Sequence, residues 1–197
     1  IASAPCLVAL DTGASGVDAY DLTWDVPGPS SQESMPIGNG DIGANVWVEP
    51  SGDLLLLLSK SDAWDEVSRL CKLGQLRIKL PSVTGFRQEL RLADGEIRIT
   101  ADGVTTRVWI DANQPVVHVE MEGTQVFTTS VAHETWRTQQ KTLTGAEVRA
   151  CWGQVGSPDP LIISPDTVLD GQKDQVVFFH RNPTSVWEKN LRNQALD

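Results

Sequence analysis

Hydrophobic and polar residues alternate with a period of two along much of the chain. The alternation is clear at 76–80 and returns in several segments of 86–121. Successive side chains of a β-strand point to opposite faces, so this pattern predicts strands that are buried on one face only. Asp94-Gly95 and Asp102-Gly103 lie between these segments and are typical of tight hairpin turns. Residues 86–121 are therefore predicted to form an antiparallel meander.

A run of five leucines at 54–58 departs from this alternation. A strand that is hydrophobic at every position is covered on both faces, which favours two packed sheets. The run is predicted to pair with 43–49 across the turn at Pro50-Ser51-Gly52. Further strands are predicted at 21–26, 126–132, 147–152 and 175–180, and a helix is predicted at 185–196. The expected fold is all-β, an antiparallel two-sheet sandwich with a short C-terminal helix.

Acidic residues outnumber basic residues in this chain. Asp plus Glu total 26 and Lys plus Arg total 16, which gives a formal net charge of −10. Nucleic acids and anionic membrane surfaces attract basic proteins, so neither is an expected partner. The apolar runs are also far shorter than the ~20 residues that a membrane-spanning helix needs. Because 40% of the residues are hydrophobic, the composition indicates a folded domain with a buried core.

Three cysteines, Cys6, Cys71 and Cys151, are widely spaced. No Cys-x-x-Cys pair is present, so the spacing typical of zinc or dithiol redox sites is absent. Either one disulfide with a remaining thiol or three buried free thiols fits the sequence. The dipeptide His133-Glu134 does not make a zinc-protease motif, because Arg137 stands where the second histidine is needed. No metal or other cofactor is therefore expected.

The segment Gly38-Asn39-Gly40 lacks the Lys-Ser/Thr ending of a phosphate-binding loop, and no predicted helix follows it. It is predicted to be a tight turn with positive φ angles. No Gly-x-Ser-x-Gly nucleophile motif is present, and in an acidic chain the spacing of carboxylates does not reveal a catalytic pair. The residues by themselves identify no catalytic set.

Seven tryptophans accompany one tyrosine and four phenylalanines. The broad indole face suits stacking on sugar rings, although most tryptophans fill hydrophobic cores. Two polar segments carry a tryptophan beside charged residues, and both are candidates for contact with carbohydrate or with another domain. Their candidate residues are Asp62, Trp64 and Asp65 in the first segment and Glu134, Trp136 and Arg137 in the second. The alternative is that both tryptophans are buried and that the acids cap turns.

Three motifs are similar to those of known families. They are Met35-Pro-Ile-Gly-Asn-Gly-Asp41, Lys60-Ser-Asp-Ala-Trp64 and Val108-Trp-Ile-Asp-Ala-Asn-Gln-Pro-Val-Val117. Together they resemble the N-terminal β-domain of glycoside hydrolase family ninety-five and its relatives, the fucosidase and galactosidase group. They resemble still more a family of secreted bacterial proteins known only as a domain of unknown function. The resemblance runs over residues 24–182, and its motif turn consists of Gly38, Asn39, Gly40 and Asp41.

The resemblance implies a galactose-mutarotase-like β-supersandwich that precedes an (α/α)6 helical domain. In the hydrolase relatives the helical domain carries the catalytic acid and base, so no catalytic residue is carried over to this chain. The implied organisation is an N-terminal extension at 1–20 that resembles an export-signal remnant, the supersandwich at 21–182, and the start of a linker helix at 183–197. A secreted or periplasmic location in a bacterium is expected.

The resulting expectation is a non-catalytic N-terminal domain of a secreted carbohydrate-active enzyme, a glycoside hydrolase, which packs against and shapes the helical catalytic domain. That catalytic domain and carbohydrate are the expected partners, and the chain alone is expected to lack glycosidase activity. Exposed apolar surface is expected around 185–196, where the helical domain would dock. One alternative, an independent carbohydrate-binding module, requires an exposed Trp64 or Trp136. The other, a mutarotase-like enzyme, requires His118 or His133 close to a glutamate.

Overall fold

The structure is a computed structural model that describes residues 16–196. Cys6 and most of the predicted export-signal remnant lie outside the described residues. Within them are two short α-helices, α1 (Ala146–Arg149) and α2 (Trp187–Asn193), and neither is long and apolar enough to cross a membrane. The strands of the described chain are β1 (Leu22–Trp24), β2 (Met35–Gly38), β3 (Ile42–Val48), β4 (Asp53–Trp64), β5 (Leu70–Lys79), β6 (Arg87–Arg91), β7 (Glu96–Ala101), β8 (Val104–Ile110), β9 (Val117–Gly123), β10 (Val131–Glu134), β11 (Lys141–Thr142), β12 (Ile162–Ile163), β13 (Thr167–Val168) and β14 (Phe178–Phe179).

The strands β1 to β10 form two five-stranded antiparallel sheets. The order is β1-β6-β7-β8-β9 in the first sheet and β10-β5-β4-β3-β2 in the second. This arrangement confirms the all-β, two-sheet fold, and the consecutive pairing of β6 to β9 confirms the predicted meander. At the β7–β8 hairpin Asp102 has φ 48° and Gly103 has φ 74°. A tight hairpin turn of type I′ requires two such positive angles, which is why the Asp-Gly dipeptide predicts it.

One hydrophobic core lies between the two sheets. β4 contributes Leu54 and Leu56, and β7 contributes Ile97 and Ile99 from the facing sheet; none of the four is more than 1% exposed. Leu55 points to the opposite face of β4 and is also buried. Both faces of this strand are therefore covered at 54–56, as the leucine run predicts, whereas Leu57 and Leu58 are half-buried. Burial of each such side chain stabilises the fold by roughly 1.5–3 kcal/mol.

The β4–β5 hairpin continues past this core and carries the C-terminal part of the chain, residues 135–196. Trp64 at the end of β4 pairs with Leu70 at the start of β5. The turn between them places Val67 in a second, smaller core. The other buried members of the second core are Leu143, Cys151, Leu161 and Ile163. Because β11 to β14 are only two residues long, side-chain packing contributes more to this part than sheet pairing does.

The segment 147–152 is not extended, so the strand predicted there is wrong. It begins within α1, and the Cys151 N–H donates to Val148 O at 3.0 Å in the turn that follows. Val148 and Cys151 are three positions apart, which places them on one face of a helical turn. Both pack in the second core, and this tertiary contact selects the helical conformation. The C-terminal helix is confirmed, but it is shorter than predicted.

Candidate functional site

The tip of the β4–β5 hairpin is a turn at 65–69 that is organised by one carboxylate. Asp65 Oδ1 accepts hydrogen bonds from the backbone N–H groups of Val67 (3.1 Å) and Arg69 (2.8 Å). Its Oδ2 accepts a third bond from Arg69 Nε at 3.1 Å. Ser68 adopts a positive φ of 60° within the turn. Asp65 is buried, with only 4% of the residue exposed, and all three hydrogen bonds of its carboxylate stabilise the turn.

A cleft of about 720 Å³ lies beside this tip, and three tryptophans line it. Trp64 ends β4, Trp152 follows α1 and Trp187 begins α2. Their exposed fractions are 48%, 73% and 59%, which are high for a residue type that buries most of its surface on average. Residues 182–185 form a further wall. This tryptophan cleft therefore collects aromatic side chains from three separate parts of the sequence.

Hydrogen bonds attach the wall at 182–185 and the segment before it to the hairpin tip. Asn182 Nδ2 donates to Trp64 O at 3.0 Å. Glu66 accepts two further bonds, from the Ser164 N–H at Oε1 (2.6 Å) and from His180 Nε2 at Oε2 (2.9 Å). The two sides of the tryptophan cleft are thus joined by polar contacts as well as by apolar packing.

His180 lies between two carboxylates. Its Nε2 is 2.9 Å from Glu66 Oε2, and its Nδ1 is 3.0 Å from Asp166 Oδ1. Asp166 Oδ1 also accepts a bond from Arg137 Nε at 2.7 Å, and its Oδ2 accepts one from Thr135 Oγ1 at 2.5 Å. A neutral histidine ring donates through one nitrogen and accepts through the other, whereas the cationic ring donates through both. We call Glu66, His180, Asp166 and Arg137 the buried ionic network.

Both carboxyl groups of the buried ionic network have pKa values below their ordinary values. Burial by itself raises the pKa of Glu66, but hydrogen bonds from Ser164 and His180 outweigh that effect. Burial acts on the pKa of Asp166 in the same direction, and hydrogen bonds from Arg137 and Thr135 outweigh it. Both groups are therefore anions at neutral pH, and neither is suited to act as a general acid.

The first predicted group, Asp62, Trp64 and Asp65, does not form one surface. Trp64 lines the tryptophan cleft, and Asp65 organises the turn. The side chain of Asp62 is 73% exposed and pairs with Lys60 at 2.6 Å, a hydrogen bond that lowers the pKa of Asp62. Lys60 also contacts Asp41 at 2.9 Å. Asp62 therefore belongs to a surface charge cluster beside the motif turn.

The second predicted group, Glu134, Trp136 and Arg137, is divided as well. Glu134 accepts hydrogen bonds from Arg77 Nε (2.6 Å) and Gln75 Nε2 (2.7 Å) on the neighbouring strand. The bond from Arg77 above all lowers the pKa of Glu134. Arg137 is buried in the ionic network. Trp136 is 55% exposed and lines a pocket of about 270 Å³ that is separate from the tryptophan cleft.

The motif turn at 38–41 connects the two sheets. Asn39 Oδ1 accepts hydrogen bonds from the backbone N–H groups of the second and third residues after it, at 3.0 and 2.9 Å. Asn39 Nδ2 donates to the backbone oxygens of Asp111 (2.7 Å) and Gln114 (3.0 Å) in the β8–β9 loop. Gly40, at φ 91°, supplies the positive angle that this turn needs. Because β2–β3 and β8–β9 belong to different sheets, Asn39 acts as a clamp between them.

The two histidines considered for a mutarotase-like site pack against aromatic rings. His118 stacks on Trp109 with ring centroids 4.8 Å apart, and His133 stacks on Phe178 at 3.8 Å. In the described part of the chain neither ring is hydrogen-bonded to a carboxylate. The histidine that contacts carboxylates is His180.

The described cysteines are buried free thiols, Cys71 and Cys151. Burial raises the pKa of Cys71 to about 11 and also raises the pKa of Cys151. Such thiols stay protonated and unreactive at neutral pH. Among the residues that the structure describes, no group of three or more His, Cys, Asp or Glu side chains is arranged to hold a metal ion.

Comparison with protein families finds one family that matches nearly the whole of the described chain. The family DUF5703_N, described as a domain of unknown function, matches residues 23–197. The chain belongs to this family. No curated protein matches the chain. The matched range starts in β1 and includes both sheets and the C-terminal part, so the tryptophan cleft and the buried ionic network lie within the DUF5703_N domain.

Several site residues of this DUF5703_N domain carry no signal in the sequence. They are Glu66, Trp152, Asp166 and His180. Only Glu66 adjoins a predicted candidate, and the other three lie in segments without a motif. Glu66 and His180 are 114 positions apart, and local patterns of spacing do not report contacts over such a distance.

Proposed function

We propose that this DUF5703_N domain is a non-catalytic, carbohydrate-contacting domain of a secreted carbohydrate-active enzyme related to glycoside hydrolase family ninety-five. It packs against the (α/α)6 catalytic domain of the same parent chain, and the tryptophan cleft holds part of the carbohydrate substrate beside that domain. The observation that carries the proposal is the meeting of three exposed indoles around one cleft.

The tryptophan cleft has the composition of a sugar-binding surface. Indole faces provide flat apolar area for sugar rings, while Asn182, Thr184 and Ser185 line the cleft with groups that hydrogen-bond to hydroxyls. Its volume of about 720 Å³ is within the range of roughly 300–1,000 Å³ for small-molecule sites. A purely apolar ligand would bury the polar side chains without partners, which costs free energy.

The carboxylates at the tryptophan cleft favour a binding role over a hydrolytic one. Asp65 and Glu66 line the cleft, but each residue is 4% exposed and hydrogen-bonded within the protein. A glycosidase needs a carboxylic acid with a raised pKa next to the bond that it cleaves. The pKa of Glu66 is lowered instead, and Asp65 organises the turn. These contacts support a domain that positions substrate for chemistry elsewhere.

Apolar side chains are exposed on α2 and just after it. Trp187 is 59% exposed, and Leu191 and Leu196 are 40% and 52% exposed. Neighbouring apolar residues on the surface of a folded domain commonly mark contact with another protein surface. These exposed side chains, of which Trp187 also lines the cleft, support docking of a catalytic domain at α2.

Oligosaccharide binding by the 197-residue chain and by the full-length parent enzyme tests this proposal. Calorimetry on both proteins should show that the parent binds neutral oligosaccharides roughly tenfold or more tightly, because the catalytic domain supplies further contacts. Trp152→Ala should weaken binding to the parent roughly fivefold without lowering the melting temperature, since the indole is mostly exposed. Val126→Ala, at a fully exposed position away from the cleft, is the matched control. Absence of binding to both proteins, or unchanged binding after Trp152→Ala, would overturn the proposal.

An independent carbohydrate-binding module is the second candidate, and the 73% exposed indole of Trp152 favours it. Such a module would bind oligosaccharides equally well as the isolated chain and within the parent. Neither candidate hydrolyses glycosides, so the isolated chain should release no product from aryl fucosides or aryl galactosides. Turnover by the purified chain would point to an active site in this domain.

A further inference from the structure

A second indole-bearing pocket lies beside the other strand of the hairpin tip. Trp64 and Leu70 pair across the hairpin; Trp64 lines the tryptophan cleft, whereas Leu70 and Trp136 line the pocket of about 270 Å³. We call it the Trp136 pocket. Four basic side chains and a single carboxylate line it: Arg69, Lys72, Arg137, Lys141 and Glu147. In a chain of net charge −10, the sign of the charge is locally reversed here.

The two arginines of the Trp136 pocket are held in place from behind. Arg69 Nε donates to Asp65 Oδ2 at 3.1 Å, and Arg137 Nε donates to Asp166 Oδ1 at 2.7 Å. Both carboxylate side chains are 0% exposed, so they fix the guanidinium groups without occupying the pocket. The terminal nitrogens of Arg69 have no acceptor in the described part of the chain. The guanidinium N–H groups are therefore already oriented before a ligand binds, and the arginine side chains lose little conformational entropy on binding.

Lys72 gives the Trp136 pocket its excess of positive charge. The other three basic side chains are each paired with a carboxylate. Lys72 is exposed on β5, and among residues 16–196 no salt bridge joins it to an acid. An ammonium group with this freedom is available to an anionic ligand. The exposed indole of Trp136 lies in the same pocket and offers a flat apolar face.

We propose that the Trp136 pocket binds one acidic sugar unit, a uronic acid, with its carboxylate on Lys72 and Arg69 and its ring on the Trp136 indole. The basic lining suits a carboxylate, which would accept charge-assisted hydrogen bonds from it. The indole face suits a sugar ring attached to that carboxylate. The volume of about 270 Å³ is near the lower limit for small-molecule sites and fits a single ring rather than a chain. The choice of a sugar over another carboxylate rests on the proposed function.

The tryptophan cleft provides the internal contrast. Among its described lining residues none is Lys or Arg, and its two carboxylates are those of Asp65 and Glu66. Because, of these two sites, basic side chains line only the Trp136 pocket, an acidic sugar is expected to prefer that pocket, while neutral units suit the tryptophan cleft. The two sites together favour a substrate that carries both neutral and acidic sugars.

The matched pair of D-galacturonate and D-galactose tests this inference on the 197-residue chain by calorimetry and ligand-detected NMR. The two sugars differ only in the carboxylate at C6. Galacturonate should bind roughly tenfold or more tightly than galactose, and its affinity should fall as salt rises from about 0.02 to about 0.3 M. Lys72→Met and Trp136→Ala should each weaken galacturonate binding roughly fivefold or more. Lys173→Met removes the same charge from an exposed lysine outside the pocket and should leave binding unchanged.

Each other result has a distinct meaning. Equal binding of galactose and galacturonate, or galacturonate binding that survives both pocket substitutions, overturns the acidic-sugar site and leaves the proposed function standing. Competition by acetate at the same affinity as galacturonate also overturns it, because the pocket would then bind any small carboxylate. Failure of both acidic and neutral sugars to bind the chain and the full-length parent overturns the inference and the proposed function together. Unchanged melting temperatures of the two variants, expected because both side chains are exposed, establish that the fold is intact.

Discussion

The sandwich and the C-terminal part are stabilised in different ways. In the sandwich, most strands pair with their neighbours in sequence, the exceptions being β1–β6 and β5–β10, and the two sheets cover one extended hydrophobic core. In the C-terminal part, short strands and helices surround a core of five buried residues, and the buried ionic network attaches them to the hairpin tip. The sandwich also has a buried ion-pair group, Glu96 with Arg98 and Arg107, but its hydrophobic core is much larger. Hydrophobic burial therefore dominates in the first region, whereas the second depends more on its buried charged contacts.

This difference matters because both proposed sugar sites lie where the two regions meet. Trp64 belongs to the sandwich, whereas Trp152 and Trp187 belong to the C-terminal part. The Trp136 pocket likewise combines β5 with the C-terminal part. A change that loosens the C-terminal part should remove both sites and leave the sandwich folded.

The largest local effect is expected from Asp166→Asn. This change leaves the buried Arg137 without its counter-charge, weakens one of the two contacts of His180, and should destabilise the C-terminal part by about 3–5 kcal/mol. Hydrogen exchange should show loss of protection in β11 to β14, while β3 and β4 stay protected. Asp62→Asn, at an exposed position, is the matched control. Equal loss of protection in β3 and β4 would mean that the two regions unfold as one unit.

Leu56→Ala tests the sandwich side of the comparison. Leu56 is fully buried between the sheets, so the cavity should lower the free energy of unfolding by about 2–5 kcal/mol. Because the hairpin tip depends on β4, protection should fall in both regions. Urea titration followed by tryptophan fluorescence measures the change, with Val126→Ala as the exposed control. A loss confined to the C-terminal part would contradict this dependence.

Acid should loosen the C-terminal part before the sandwich. Carboxylates with lowered pKa values are present in both regions, among them Asp53, Glu96 and Glu134 in the sandwich, but the sandwich keeps its larger hydrophobic core when they are protonated. The pKa values of Glu66 and Asp166 lie below their ordinary values of 4.5 and 3.8 in the folded state, so their stabilising contribution is complete above those values. It is lost as the pH falls through the lower folded-state values. The effect should be smaller than that of Asp166→Asn in the same region, because protonated carboxyl groups keep some hydrogen bonds. Hydrogen exchange from about pH 6 to about pH 2 measures it, and simultaneous loss in β3 and β4 would count against the prediction.

The smallest effect is expected at the clamp between the sheets. Asn39→Ala removes the side-chain bonds to Asp111 and Gln114, and we expect a loss of about 1 kcal/mol because the site is partly exposed to water. Asn39→Asp keeps the Oδ1 acceptor for the turn but faces the backbone oxygens of Asp111 and Gln114 with a carboxylate oxygen, so it removes the link between the sheets and adds repulsion there. Urea titration of both variants provides the measurement. If Asn39→Asp were as stable as the wild-type protein, the link between the sheets would contribute nothing to stability.

The fold was accessible from the sequence because its signals act over short distances. The alternation at 86–121 and the Asp-Gly turns determine the meander, and the leucine run at 54–58 indicates a strand that is covered on both faces. Strands β2 to β5 and β6 to β9 then pair with their sequence neighbours, so only the placement of β1 and β10 needs long-range information. The strand prediction for 147–152 was wrong because no short-range signal determines this segment. Its helical conformation depends on packing in the second core.

By itself, the sequence determined a two-sheet antiparallel sandwich and marked Trp64, Trp136 and Arg137 as residues to examine. Only the tertiary structure decided that Trp64 joins Trp152 and Trp187 around one cleft, and that Arg137 holds Asp166. The physical reason is that the binding surfaces consist of side chains from distant segments. Their approach depends on the second core and the buried ionic network, and neither leaves a periodic pattern in the sequence.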